Sequence, residues 1–170
     1  MLTITLPSRR LVEALGADAG AVRVVEWDLV GPLDDEVAAA VDVVVAPYYM
    51  ADAGILDRLR ALPRLKMVQL PSAGYEHALG HVPPGVIVCN ARGVHDAGTA
   101  ELAVGLVLAS QRGIDAAVLD QLEGRWAPRT RESLADRRVM ILGYGSIGTA
   151  IARRLAPFEV ELVAVARTPR

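Results

Sequence analysis

Apolar and polar positions follow two rhythms along the first ninety residues. Five short runs rich in Val and Ile, "LTITL", "AVRVVEW", "VDVVVAP", "LKMVQL" and "GVIVCN", recur at intervals of about twenty residues and predict strands. Between them lie "SRRLVEALG", "DDEVAAAV", "ILDRLRAL" and "YEHALGHV", whose apolar positions fall three or four apart and predict helices. Pro7, Pro47, Pro71 and the pair Pro83–Pro84 mark the boundaries. Strands alternating with helices imply parallel β-α units with helices on both faces of one sheet. The expected class is therefore α/β, beginning with a flavodoxin-like module over residues 1–95.

Near residue 95 the rhythm changes. "DAGTAELAVGLVLASQR" carries Leu102, Val104, Leu106, Val107 and Leu108 on nearly every face, so it predicts a helix buried between other elements. Asp96 or Thr99 is the expected cap at its start. Ile114, Ala117, Val118, Gln121 and Leu122 then predict a one-sided helix, followed by the polar, Arg-rich connection "EGRWAPRTRESLADRR". A second strand–helix–strand pattern starts at Arg138. Residues 96–170 thus read as an inter-domain helix and the first βαβ unit of a Rossmann domain. No internal repeat or low-complexity tract interrupts either part.

Composition narrows this picture without changing it. The chain of 170 residues is 52% hydrophobic, with mean hydropathy +0.32 and net charge −2. Such a balance gives no general attraction to nucleic acid or anionic membrane. Lys66 is the only lysine, and Cys89 the only cysteine, which excludes an internal disulfide and is compatible with a reducing cytoplasm. The N-terminus lacks the basic and apolar regions of a signal peptide, and no apolar run reaches the roughly 18–20 residues of a membrane span. A soluble, cytoplasmic protein is expected. No metal-ligand cluster, Ser-His-Asp spacing or paired carboxylates can be read from the sequence.

The chemistry concentrates in "VMILGYGSIGTAIARRL". The strand Val139–Leu142 runs into Gly143-Tyr144-Gly145-Ser146-Ile147-Gly148, and a helix follows. Gly143 permits a tight turn, Gly145 lets the backbone approach a pyrophosphate, and Gly148 lets helix and strand pack closely. The free N–H groups at the helix start suit phosphate. Such a motif alone is weak, but strand, glycines, helix and the strand Val160–Ala166 stand in register. A plain glycine-tolerant turn is the competing explanation. An Asp or Glu at the end of the second strand would mark NAD, and an Arg nearby NADP. Ala166 holds that place, with Arg167 next and Arg170 close by, which favours NADP(H) over NAD(H); otherwise Arg167 is a solvated loop cation.

"LPSAGYEHA", "CNARGVHDAGTAELAVGLVLASQR" and "RRVMILGYGSIGTAIARRLAPFEVELVAVARTPR" occur in this order over nearly the whole chain. In these stretches the sequence resembles the D-isomer-specific 2-hydroxyacid dehydrogenases, which include phosphoglycerate and hydroxypyruvate reductases. The resemblance implies that backbone N–H groups of Ser72, Ala73 and Gly74 hold a substrate carboxylate, although an ordinary strand-to-helix turn fits the local residues equally. It implies that Thr99 lies near the cofactor. Tyr144 to Gly148 would carry the pyrophosphate, and Arg167 with Thr168 the adenosine side. It further implies a homodimer and a small 2-hydroxy or 2-keto acid as substrate.

Members of that family run to roughly twice this length, and their catalytic Arg, Glu and His would lie beyond Arg170. His77, His81 and His95 are expected on or beside helices as surface or capping residues, so no catalytic residue is assigned in this chain. An apolar edge strand "VELVAVA" and an incompletely covered helix at 99–112 point to a piece of a longer protein. Two functions stay open: an NAD(P)-dependent oxidoreductase seen through its N-terminal half, or a non-catalytic nucleotide-binding or oligomerisation module.

Overall fold

The computed structural model describes residues 1–16, 20–48 and 52–168, and the chain divides into two units, Met1–Arg92 and Gly93–Arg170. The first unit contains β1 (Leu2–Leu6), α1 (Arg9–Leu15), β2 (Val22–Glu26), α2 (Asp35–Ala38), β3 (Val43–Val45), β4 (Met67–Gln69) and β5 (Ile87–Cys89). All five strands pair in parallel in the order β2-β1-β3-β4-β5, a flavodoxin-like arrangement. Valine-rich strands suit this placement because both faces of a parallel sheet are covered. Val44 and Val68 lie in the core with Trp27, Leu29, Leu56 and Leu70.

Two expected helices take other forms. Residues Ala53–Ala61 form a 3-10 helix, started by the Asp52 carboxylate accepting the Gly54 N–H at 3.1 Å. Leu56, Leu59 and Leu62 are all buried. Their spacing of three matches a helix of three residues per turn, which stacks all three on the core. Residues 75–82 form successive turns instead of a helix, closed by Ala78 N–H to Tyr75 O and His81 N–H to Ala78 O. Gly80 and Pro83–Pro84 leave too short a stretch to sustain helical bonding. His77 and His81 therefore sit in turns.

At the start of β3, Asp42 is almost fully buried at 1% exposure. One oxygen accepts the Thr3 N–H at 3.0 Å; the other lies 2.9 Å from Lys66 Nζ and 3.3 Å from Arg64 Nη2. The Thr3 N–H, then Lys66, hold its carboxyl down at about 2. The ionised form is the one the fold prefers, so its stabilisation is complete above the ordinary carboxylate range and is lost as pH falls toward about 2. Asp42→Asn should lower the melting temperature by several degrees at neutral pH. Thermal melts at decreasing pH should show that difference shrinking through the acid range.

The second unit contains α3 (Asp96–Arg112), α4 (Ile114–Leu122), β6 (Arg138–Leu142), α5 (Ser146–Leu155), the 3-10 turn Ala156–Phe158 and β7 (Glu161–Val165). β6 and β7 pair in parallel from Arg138↔Glu161 to Leu142↔Val165. α3 packs along α5, with Arg154 Nη2 3.4 Å from Glu101 Oε1. It ends at Gly113, which takes the left-handed conformation at φ 63°.

α3 is not the buried helix its composition predicts. Only Ala100 is buried, while Leu102 and Leu106 are 64% and 61% exposed. α5 and α4 cover part of its surface, and the remaining apolar residues face outward. Neither Asp96 nor Thr99 caps it: the helix starts after His95, and Thr99 donates its N–H to His95 O at 3.0 Å from inside the first turn. Among the described residues no single helix is long and apolar enough to cross a membrane; α3 and α4 reach that length only as a pair bent by 67°.

Candidate functional site

In the second unit the glycine turn leaves β6 at Leu142. Gly143 takes φ 98°, which strongly favours a residue without Cβ, and its N–H donates to Val165 O at 2.9 Å, joining the turn to the end of β7. Gly148 lies one turn into α5, against the strand. A Cβ built there would stand 2.1 Å from Gly143 O and 3.3 Å from Ile141 Cγ2. The helix and strand therefore approach to a distance that only glycine allows. Gly145, by contrast, faces open space, since a Cβ there would meet nothing within 4 Å.

Gly145 precedes α5 without a capping side chain, and no acidic residue stands in the first turn. The N–H groups of Ser146, Ile147 and Gly148 open the helix, where no intrahelical acceptor exists. The dipole of α5 adds partial positive charge at the same end. Thr149 is turned inward, its N–H and hydroxyl both donating to Gly145 O at 2.9 and 2.8 Å.

A groove of about 480 Å³ is lined by Gly143, Tyr144, Gly145, Ala166, Arg167 and Thr168. Two stretches separated by α5 and β7 in sequence thus share one cavity. Open amides, the lack of a carboxylate side chain among the described lining residues and the Arg167 cation fit an anionic dinucleotide. Thr99 is exposed in the first turn of α3 and is not among the residues lining this groove. Arg170 lies outside the described residues. A larger cavity, about 560 Å³, lies between α4 and the following connection. Its Arg125 and Arg129 engage the nearly buried Asp120, and these guanidiniums, Arg129 first, hold the Asp120 carboxyl below its ordinary range. This clamp pins the Arg-rich connection to α4, and nothing in the sequence pattern announces it.

In the first unit, Ser72, Ala73 and Gly74 follow β4 in an exposed loop. Each carbonyl is engaged. Ser72 O accepts the Ala91 N–H at 2.9 Å, Ala73 O accepts Asn90 Nδ2–H at 2.8 Å, and Gly74 O accepts the Ser72 hydroxyl at 2.7 Å. In a trans peptide the N–H points opposite to the carbonyl. With no cis bond among the described residues, the amides of Ala73, Gly74 and Tyr75 face away from those contacts. Those of Ala73 and Gly74 have no acceptor among the described residues. The Tyr75 amide already holds a carboxylate, Glu76 Oε2 at 3.0 Å. The Glu76 and Tyr75 N–H groups keep that carboxyl below its ordinary range.

Each histidine has its own local setting. His81 Nδ1 lies 3.2 Å from Asp57 Oδ1, and this contact is the main reason the Asp57 carboxyl is lowered. His77 is exposed in the turn after the loop, and His95 precedes α3 in the other unit. Among the described residues no three His, Cys, Asp or Glu side chains form a metal-holding group.

The family model of the D-isomer specific 2-hydroxyacid dehydrogenase NAD binding domain matches residues 104–170. The glyoxylate reductase/hydroxypyruvate reductase of Homo sapiens is 34% identical over 167 residues, covering 91% of this chain and 50% of that protein. The glyoxylate reductase of Thermofilum pendens is 33% identical over 122 residues, covering 66% of this chain and 34% of that protein. The chain therefore spans half or less of the length of these relatives. Among solved structures, the D-isomer specific 2-hydroxyacid dehydrogenase from Xanthobacter autotrophicus Py2, in complex with NADPH and MES, matches with a TM-score of 0.75 at 23% identity. That match covers 99% of this chain and 54% of the other, and it shows the shared fold. With motifs, fold and relatives in agreement, the chain belongs to the D-isomer specific 2-hydroxyacid dehydrogenase family.

Proposed function

We propose that this chain is part of an NADP(H)-dependent oxidoreductase that reduces a small 2-oxo acid, or oxidises the corresponding D-2-hydroxy acid. The groove that unites Gly143–Gly145 with Ala166–Thr168 carries this reading. The amides at the start of α5 hold the pyrophosphate, and Gly145 leaves the room for its approach. Arg167 and Thr168 take the adenosine side, Arg167 pairing with a 2′-phosphate where an NAD site would place a carboxylate. Thr99 is assigned to the cofactor surroundings by resemblance. The nicotinamide group, when bound, supplies or accepts the hydride.

Residues 1–95 serve as the substrate domain, where the Ser72–Gly74 loop receives the substrate carboxylate on the outward amides of Ala73 and Gly74. Reduction also needs an acid-base group at the carbonyl and a cation for the carboxylate. Neither role is assigned to His77, His81 or His95. The family resemblance favours a cytoplasmic homodimer, and the exposed apolar residues of α3 and α4 are compatible with a covered face. A net charge of −2 offers nucleic acid no general attraction.

The test is consumption of NADPH by the purified native protein with glyoxylate and with hydroxypyruvate. Turnover of either is the expected result. NADPH binding without turnover of any 2-oxo acid would leave a non-catalytic nucleotide-binding module.

A further inference from the structure

We infer that Asn90 is a positioning residue that sets the Ser72–Gly74 loop to receive a carboxylate. This rests on the reading of that loop as the substrate-binding turn. Asn90 stands just past β5, whose neighbour β4 leads into the loop. Its side-chain amide faces two ways. Nδ2–H donates to Ala73 O at 2.8 Å, and Oδ1 accepts the Arg92 N–H at 3.4 Å.

The second bond is an Asx turn, which holds Asn90 beside the loop. The first fixes the Ala73–Gly74 peptide. Because that peptide is trans, holding its carbonyl inward turns the Gly74 N–H outward. Ala91 does the same for the preceding peptide through its backbone N–H to Ser72 O. Among the described residues, Asn90 is the one side chain outside the loop that donates to a carbonyl of its three residues. Aspartate at this position would keep the Asx turn but set a carboxylate against the Ala73 carbonyl. Serine would keep a turn acceptor but is too short to span to Ala73.

The position contributes to binding rather than to the reacting bond. Removing the donor should weaken substrate and transition state alike, raising KM without lowering kcat. The native protein, Asn90→Ser and Asn90→Gln are compared by steady-state kinetics with glyoxylate, by thermal melting, and by amide hydrogen exchange of Ala73 and Gly74 without substrate. Asn90→Ser should raise KM about tenfold, the loss of one well-placed hydrogen bond. Its kcat should stay within about twofold, and Gly74 exchange should change while the melting temperature holds. Asn90→Gln, which retains an amide donor, should recover most of the loss.

An unchanged KM and unchanged Gly74 exchange in Asn90→Ser would overturn the inference. So would kcat and melting temperature falling together with no recovery in Asn90→Gln, the pattern of a merely structural residue. If the native protein turns over no 2-oxo acid, the proposed function fails on its own. Gly74 exchange then still decides whether Asn90 orients the loop.

Discussion

Alanine in place of Gly148 is expected to remove dinucleotide binding and to loosen the second unit at once. The added Cβ would stand 2.1 Å from Gly143 O and 3.2 Å from its carbonyl carbon. Both are backbone atoms of the glycine turn and cannot swing aside as a side-chain tip can. α5 must move off β6, carrying with it the amides of Ser146 and Ile147. Overpacking of this kind costs about 1–3 kcal/mol, and here the upper end is expected because no side chain can yield to relieve it. Cofactor affinity should fall more than about 100-fold, since donors displaced from a phosphate leave both sides poorly paired. Gly145→Ala separates the two effects. A Cβ at Gly145 meets nothing within 4 Å and the backbone there has φ −84°, so the melting temperature should hold. Binding should still be lost, because the methyl group fills the space a pyrophosphate needs. Calorimetric titration and thermal melting of both variants distinguish steric exclusion from misfolding.

The second large effect concerns Arg167. It stands two residues past the end of β7 and lines the groove with Thr168, and the described residues offer no carboxylate in that lining. A charge-assisted hydrogen bond to a phosphate contributes about 1.5–3 kcal/mol. Arg167→Ala should therefore weaken NADPH binding about 10- to 100-fold while changing NADH binding by less than about threefold. Equal losses for both cofactors would show that Arg167 is only a general cation at the groove mouth.

The parallel strands and the glycine turn were legible because their signals are local. Val- and Ile-rich runs report burial on both faces of a sheet, while Gly143 answers a positive φ of 98° and Gly148 the close approach of Gly143 O; Gly145 meets no such demand from the chain itself. The 3-10 helix at Ala53–Ala61 was not, because a spacing of three satisfies the template for an α-helix almost as well. Only the core decides that Leu56, Leu59 and Leu62 all face inward. For α3, composition reports which surfaces prefer cover, and the structure reports which ones α4 and α5 provide.

Thr99 illustrates a boundary error. A cap and a first-turn residue differ by one helical turn, and Thr99 lies inside. Asn90 was hidden for a different reason. At the end of "GVIVCN" it reads as the last residue of a strand, yet its partner Ala73 lies 17 residues away across the β4–β5 pairing. A side chain whose role is to hold another loop leaves no periodic trace. An Asn followed two residues later by an available N–H is the one hint, an Asx turn, and it gives no partner. Asp42 and Asp120 are likewise legible only once the arginines and Lys66 are brought beside them.

The measurement that bears most directly on the central claim is a pair of calorimetric titrations of the native protein, one with NADPH and one with NADH. Binding of NADPH at least about tenfold tighter than NADH is expected if Arg167 holds a 2′-phosphate above the Gly143–Gly148 turn. Failure of both to bind would contradict the claim and reduce the three glycines to a close-packed turn between β6 and α5.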